Sequence, residues 1–498
     1  MALAIAFTEV FLAFAVLVLV SLYIRNKKDP RYPPGPRALP FVGNLLQLGS
    51  RPQQVLTKWA KEYGPIYSIK MGTDDTIVVN DHKLLKELFA ENTASGRSQN
   101  PIFIAFSGGN YGVVNTEGAH WEVQRRFTLR KLRDFGFAKS SMEGLILDEA
   151  NSMIHHLEKH MDAPIQGRRL FNGVVVNALW NIVSRERNEW DAKPQPPIME
   201  KMEELVQALN YANTSGLVFA PSLRHVAPSF FGWTRWVNSV HNVMQITNEA
   251  VKKHADKLDP DCPEDLIDHY LIEMKNAKDP DSSFYKEAGE KNLKALIVDL
   301  FAAGSETTSH TCSWIVLYLS YHQQVQSRMQ DELDSVVGTN RLPSLSDRPN
   351  LPYTEAVIME VLRISNILPN GVMHRMLEDV VFHGFFFPKG VTVISNLYKI
   401  LRDPEIWGDA DNFRPERFLS QDGKKVIKHE AFVAFSVGKR QCLGESLAKD
   451  TLFLIMACIF QKFKVLADPE HPIPDFEPPP GFLHETKPFK FLVRPRDL

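Results

Sequence analysis

The chain has 498 residues, is 44% hydrophobic, and carries 57 Lys and Arg against 59 Asp and Glu, a net charge of −2. At about 150 residues per domain this length allows roughly three domains, but no Gly/Ser-rich or acidic linker divides it, so one large body is expected. The balanced charge argues against nucleic acid as a partner. Four cysteines, Cys262, Cys312, Cys442 and Cys458, lie far apart without a CxxC pair. That spacing suggests neither a zinc site nor a disulfide framework, and low-density free thiols suit a cytosol-facing protein.

From Met1 to Ile24 only Thr8, Glu9, Ser21 and Tyr23 are polar, and Arg25, Lys27 and Lys28 follow directly. About 20 apolar residues suffice to span a bilayer. The spacing therefore predicts a transmembrane anchor over residues 1–24, a basic, proline-rich hinge over 25–36 and the main body over 37–498. The positive flank lies on the C-terminal side, which puts the body in the cytosol. A cleaved signal peptide is the alternative, but the charged start and small-residue cleavage site it needs are missing. Pro33-Pro34-Gly35-Pro36 forms the stiff part of the hinge.

Helical spacing follows over 53–63, with Gly64 as its C-terminal cap. Residues 66–71 and 76–80 read as a strand pair, 118–185 as helical, and 233–258 as another helix. A helical pattern over 290–336 is too long for one ordinary helix and is expected to break near His322. Residues 351–365 form a further helix; 380–387 and 391–395 read as strands; 404–440 is irregular, and 443–461 returns to helix. The sum is mainly α with a small β component. Residues 217–236 mix aromatics with prolines and a few cations. They read either as a buried loop or as a second, shallow membrane contact.

The segment Phe435-Ser436-Val437-Gly438-Lys439-Arg440-Gln441-Cys442-Leu443-Gly444 carries the strongest chemical signal. Backbone N–H groups and the start of the following helix favour a thiolate at Cys442. Gly438 permits a tight turn, and Gly444 permits close approach of a flat ligand. Arg440 places a cation two residues from the sulfur. A thiolate ligand on haem iron favours O–O cleavage.

This segment resembles the haem-binding loop of the cytochrome P450 family, Phe-x-x-Gly-x-Arg-x-Cys-x-Gly, at Phe435, Gly438, Arg440, Cys442 and Gly444. The resemblance covers essentially the whole chain. It implies the cytochrome P450 fold, haem b bound through Cys442 as the metal ligand, and insertion of one oxygen atom from O2 into a small apolar substrate. Xenobiotics, fatty acids, steroids and terpenoids are the implied substrate classes. Electrons would come from NADPH through NADPH-cytochrome P450 reductase, with cytochrome b5 as a further partner. The nearest branch looks like the microsomal P450s of animals, which implies the endoplasmic reticulum membrane. Trp121 to Phe127, Leu132 to Gly136 and the Pro-Pro-Gly-Pro hinge carry that likeness.

Ala303-Gly304-Ser305-Glu306-Thr307-Thr308 lies inside the long helix. Thr307 can bond back to the carbonyl of Ala303 and loosen the helix where O2 would sit. Glu306 and Thr307 together can move protons, the role this acid–alcohol pair has in the family. Glu360 and Arg363 share a helix face, and Arg417 in Phe-Arg-Pro-Glu-Arg-Phe completes a structural triad by resemblance. Trp121, Arg125, Arg97, His374 and Arg440 are likewise implied to hold the haem propionates. The basic run Arg125, Arg126, Arg130, Lys131 and Arg133 reads as a solvated face or, with Arg125 turned inward, as a docking site for an acidic redox partner. By resemblance the substrate pocket includes Phe103, Phe106, Ala302, Val372 and Phe482, with Asp299 as a polar anchor or, alternatively, a loop cap. Two other readings remain. A haem-thiolate isomerase or dehydratase of lipid peroxides would tend to lack the Glu306–Thr307 pair, and a non-catalytic haem sensor would not need it.

Overall fold

The computed structural model describes residues 28–134, 140–161, 163–188, 196–473 and 475–496. The expected anchor over 1–24 lies outside the described residues. Among the described residues no helix is long and apolar enough to cross a membrane.

Helices dominate. The longer ones are α1 (Pro52–Tyr63), α2 (Gly118–Asp134), α3 (Ser140–Lys159), α4 (Asn172–Ser184), α5 (Pro197–Thr214), α6 (Trp233–Lys257), α7 (Leu266–Asn276), α8 (Lys286–Tyr321), α9 (Gln323–Val336), α10 (Pro352–Ser365) and α11 (Glu445–Lys462). α1 ends where expected, at Gly64, whose φ of +95° suits a residue without Cβ. The 36-residue α8 is buried along most of its second half, as a central core helix must be. It stops at His322, the predicted break. The continuous helical pattern over 118–185 divides instead into α2, α3 and α4, with the pair Ile165–Gln166 between the last two. A single apolar cluster runs from Leu48 to Val493, so the described chain forms one domain.

The principal sheet contains β1 (Ile66–Met71), β2 (Asp74–Val79), β3 (Gly96–Arg97), β4 (His374–Arg375) and β5 (Thr392–Ser395), in the order β1-β2-β5-β4-β3. β2 runs parallel to β5, and the other pairs are antiparallel. Register pairs Arg97 with His374, so residues distant in sequence stand side by side. The expected strand over 380–387 is a hairpin of Val380–Phe382 and Phe385–Phe387. His383 and Gly384 both take positive φ, the turn that suits the twist of paired strands.

The charged segment after α4 is tied down by polar contacts. Arg187 donates to Glu149 (2.6 Å), Asn188 bonds Asn177, and Glu186 pairs with Lys253. The irregular stretch 404–440 is held by the predicted ion triad. Arg363 meets Glu360 in a two-point contact (2.7 and 2.8 Å), and Arg417 adds a third bond (3.0 Å). Glu360 and Arg363 are fully buried. The guanidiniums reach on to the carbonyls of Leu401 and Trp407, which fastens the irregular segment to α10.

Candidate active site

The Cys442 loop is built by a close backbone approach. The N–H of Cys442 donates to the Phe435 carbonyl (3.0 Å), and that of Lys439 donates to the Phe89 carbonyl (2.9 Å). Gly438 has φ +77°, and a Cβ there would lie 2.1 Å from the Phe89 oxygen. Only glycine fits. Beside Gly444 a Cβ would meet nothing within 4 Å, and Cys442 is exposed. Burial of its surroundings pushes the thiol up, while the Gly444 N–H and the Arg125 guanidinium pull it down. The helpful cation is thus Arg125, not Arg440 as the spacing suggested. Arg440 points elsewhere: it lies 3.8 Å over the Trp121 ring and donates to the carbonyls of Ser95, Val113 and Thr116.

Arg97, Arg125 and Arg440 form a crowded nest of cations. Arg97 donates to the carbonyls of Val114 and Val372, and Arg125 to that of Gln441 (2.7 Å). Burial and mutual repulsion push Arg97 and Arg440 down, and burial does the same to Arg125. Trp121 adds a buried indole N–H without a partner. His374 stacks on Phe89 (3.7 Å), donates its Nδ1–H to the Ala94 carbonyl (2.8 Å), and is kept neutral by burial and Arg97. Converging buried donors with too little negative charge fit an anionic group such as a pair of carboxylates. The residues present therefore fit haem and its propionates.

Asp299, Ala303 and Thr307 lie one turn apart on one face of α8. Thr307 donates to the Ala303 carbonyl (2.6 Å), the predicted back-bond. Ala303 is accessible although its neighbours along the helix are largely buried. Glu306 does not share this face. Consecutive helical residues diverge by about 100°, and its buried carboxylate turns to Asn172 (3.4 Å) and His310 (3.3 Å). Burial raises Glu306 to about 7, opposed by Arg169 and reinforced by Glu485 and Glu203. Sequence reasoning missed His310, although it lies four residues after Glu306, a spacing that already places both on one stripe.

Asp299 is a loop cap rather than a substrate anchor. Its carboxylate accepts from the N–H groups of Val113 (2.7 Å) and Val114 (2.9 Å) and from the Ser107 hydroxyl (3.2 Å). Gly112 must be glycine here: its φ is +78°, and a Cβ would lie 2.3 Å from the Asp299 oxygen. Phe103 and Phe482 meet, with ring centres 5.9 Å apart, whereas Phe106 stacks on buried Trp236. Ala302, Val372 and Phe435 are half-buried. Of the basic run, Arg126, Arg130 and Arg133 are exposed, but Lys131 leans on His269 (3.1 Å).

Comparison with known proteins identifies the family. The family described as Cytochrome P450 matches residues 33–493. The chain is similar to farnesoate epoxidase of Bombyx mori, 32% identical over 97% of this chain and 99% of that protein. It is similar to two proteins of Mus musculus at 34% identity, cytochrome P450 2J5 (92% of this chain, 90% of the relative) and cytochrome P450 2E1 (97% of both). A thiol loop with glycine where only glycine fits, a donor nest for carboxylates and a match along nearly the whole length lead to one conclusion: the chain belongs to the cytochrome P450 family, as a haem-dependent oxidoreductase.

Proposed function

We propose that the protein inserts one oxygen atom from O2 into a small apolar substrate, with electrons from NADPH delivered by NADPH-cytochrome P450 reductase, assisted by cytochrome b5. The observation that carries this reading is the accessible Cys442 thiol beside the Gly444 N–H and Arg125. Haem b held there would supply an electron-rich iron at which O2 is activated. Cys442 would be its ligand, with Phe435, Gly438 and Gly444 shaping the loop and the accessible Ala303 among the residues that would hold it. Arg97, Trp121, Arg125, His374 and Arg440 hold its carboxylates. Thr307 is held by its bond to the Ala303 carbonyl, and Glu306 stores a proton one position away. That pair supports oxygen insertion over rearrangement of lipid peroxides. Phe103 and Phe482, with Ala302 and Val372, offer apolar contact to the substrate. The farnesoate epoxidase likeness supports testing a terpenoid acid first.

The protein works at the endoplasmic reticulum membrane, anchored by residues 1–24 with its body in the cytosol. Val226 and Phe230 are 76% and 71% exposed, and Phe41 is 73% exposed. Gly72 lies close to the backbones of both Phe41 and Phe219, so the two apolar segments are neighbours. Such a patch suits a shallow lipid contact. A polarity-sensitive dye on Phe230→Cys should shift to the blue in microsomes; no shift would leave the loop in water. The central test is the carbon-monoxide difference spectrum of the reduced protein beside Cys442→Ser. A strongly red-shifted Soret band, lost in the variant, is expected. A haem spectrum without the shift would refute thiolate ligation.

A further inference from the structure

Behind Glu306 lies a chain of ionisable groups leading toward water. His310 Nε2 is 3.3 Å from Glu306 Oε2 and 3.9 Å from Glu485 Oε2. Neither ring nitrogen has a hydrogen-bond partner, though the side chain is 2% exposed. An imidazole so deeply buried without a partner is unfavourable unless it serves something. Glu485 is gripped by Arg168 at two points (2.6 and 3.2 Å). Side-chain exposure rises along this line, from 2–3% at His310 and Glu306 to 8% at Glu485 and 27% at Arg168. The groups facing the pair are Glu485, Arg168, Arg169 and, paired with Arg169, Glu203. Asn172 holds the other Glu306 oxygen and takes a short hydrogen bond from Ser309.

We propose that His310 is a proton-relay residue that recharges Glu306 from the Glu485–Arg168 surface, while Glu306 releases protons beside Thr307. This rests on the oxygen-inserting reading above. The O–H bond of Glu306 breaks, and its proton leaves toward the acceptor at Thr307 by rotation of the side chain. Once the side chain has turned back, the new carboxylate favours an imidazolium at the resting separation of 3.3 Å. The Nε2 lone pair takes a proton that water supplies through Glu485, and the resulting N–H bond breaks as the Glu306 O–H re-forms. No electron moves in these steps. One nitrogen serves both carboxylates, so no ring flip is required. At rest, burial keeps His310 neutral, down to about 4, and Glu306 protonated up to about 7, so the pair holds one transferable proton.

The experiment uses full-length holoprotein with His310→Gln and, should that variant not fold, Glu485→Gln. The first readout needs no turnover: the His310 ring signals in histidine-labelled ferrous carbon-monoxide protein are titrated by NMR. An inflection near pH 7 that disappears in Glu306→Gln is expected; a His310 signal indifferent to Glu306 overturns the relay. The second uses only O2, NADPH and reductase, following NADPH oxidation, peroxide released per NADPH and the solvent isotope effect. Above pH 7 the variants should oxidise NADPH at least about tenfold more slowly, by the usual scale of acid–base assistance. They should also release more peroxide and regain rate as the pH falls. Variants with the wild-type rate, peroxide yield and isotope effect overturn the proposal. A wild type that lacks the red-shifted carbon-monoxide band would instead sink the oxygen-inserting reading, and the NMR titration would still decide the relay.

Discussion

Asp299 separates two roles that a buried carboxylate in this position can have. Replacing it with Ala leaves the N–H groups of Val113 and Val114 buried without partners. Each such loss costs about 1–3 kcal/mol, hence about 2–6 kcal/mol together. Replacing it with Asn keeps an oxygen for both N–H groups and turns an amide toward the Ser107 hydroxyl. It also removes a charge. Burial, opposed by the Val114 and Val113 N–H groups, lifts the carboxyl from 3.8 to about 7. That penalises its ionised form by about 4 kcal/mol. Because the folded value is raised, the native state holds more protons than the unfolded chain between these values. Stability from this group is greatest below pH 3.8, falls as the pH rises to about 7, and is flat beyond. Denaturant unfolding of the holoprotein, followed by circular dichroism at pH 5.5 and 8.5, measures both effects. Asp299→Asn should be more stable than wild type at pH 8.5, with the advantage roughly halved at pH 5.5, while Asp299→Ala is less stable at both. An Asn variant as unstable as Ala, or an advantage independent of pH, would refute the reasoning. Weakened substrate binding with unchanged stability would restore the anchor role.

Glu360→Gln strips the carboxylate that Arg363 and Arg417 both contact, an uncompensated burial worth about 3–5 kcal/mol, and should leave little folded, haem-retaining protein on expression. His254 is raised to about 9 by its bond to Asp265 (2.8 Å), which ties α6 to the start of α7. Its stabilising effect is full below pH 6.5 and decays as the pH climbs to about 9, so melting temperatures should fall over that interval in wild type and less steeply in His254→Gln. Reversing charge at exposed Arg126 and Arg133 should raise the reductase concentration needed for half-maximal NADPH oxidation several-fold at low salt, and an unchanged requirement would dismiss this face as a docking site.

Features written in short stretches of sequence were legible before the structure. The Cys442 loop, the Gly64 cap, the break at His322 and the Thr307–Ala303 bond all depend on neighbours within a few residues. The Glu360 triad was legible because helix spacing supplied two members and resemblance the third. What was left open or missed depends on partners far along the chain. Asp299 meets a loop about 185 residues away, and Arg440 reaches carbonyls more than 300 residues away. No local pattern encodes either choice. The split between Glu306 and Thr307 is a different case: helical periodicity predicts that neighbours diverge, and the expectation that the two act together set this aside.

The triad also bears on how the chain is made. Glu360 and Arg363 leave the ribosome together, but Arg417 follows 57 residues after Glu360. At about 5–20 residues per second this is a delay of several seconds. During it the Glu360 carboxylate already has Arg363 on both oxygens, so α10 can be buried as a neutral pair. Arg417 then arrives as a surplus cation, which Asp409 at 3.2 Å offsets. The order of synthesis thus suits the order of neutralisation, and the irregular segment can dock last without stranding a charge inside the nascent protein.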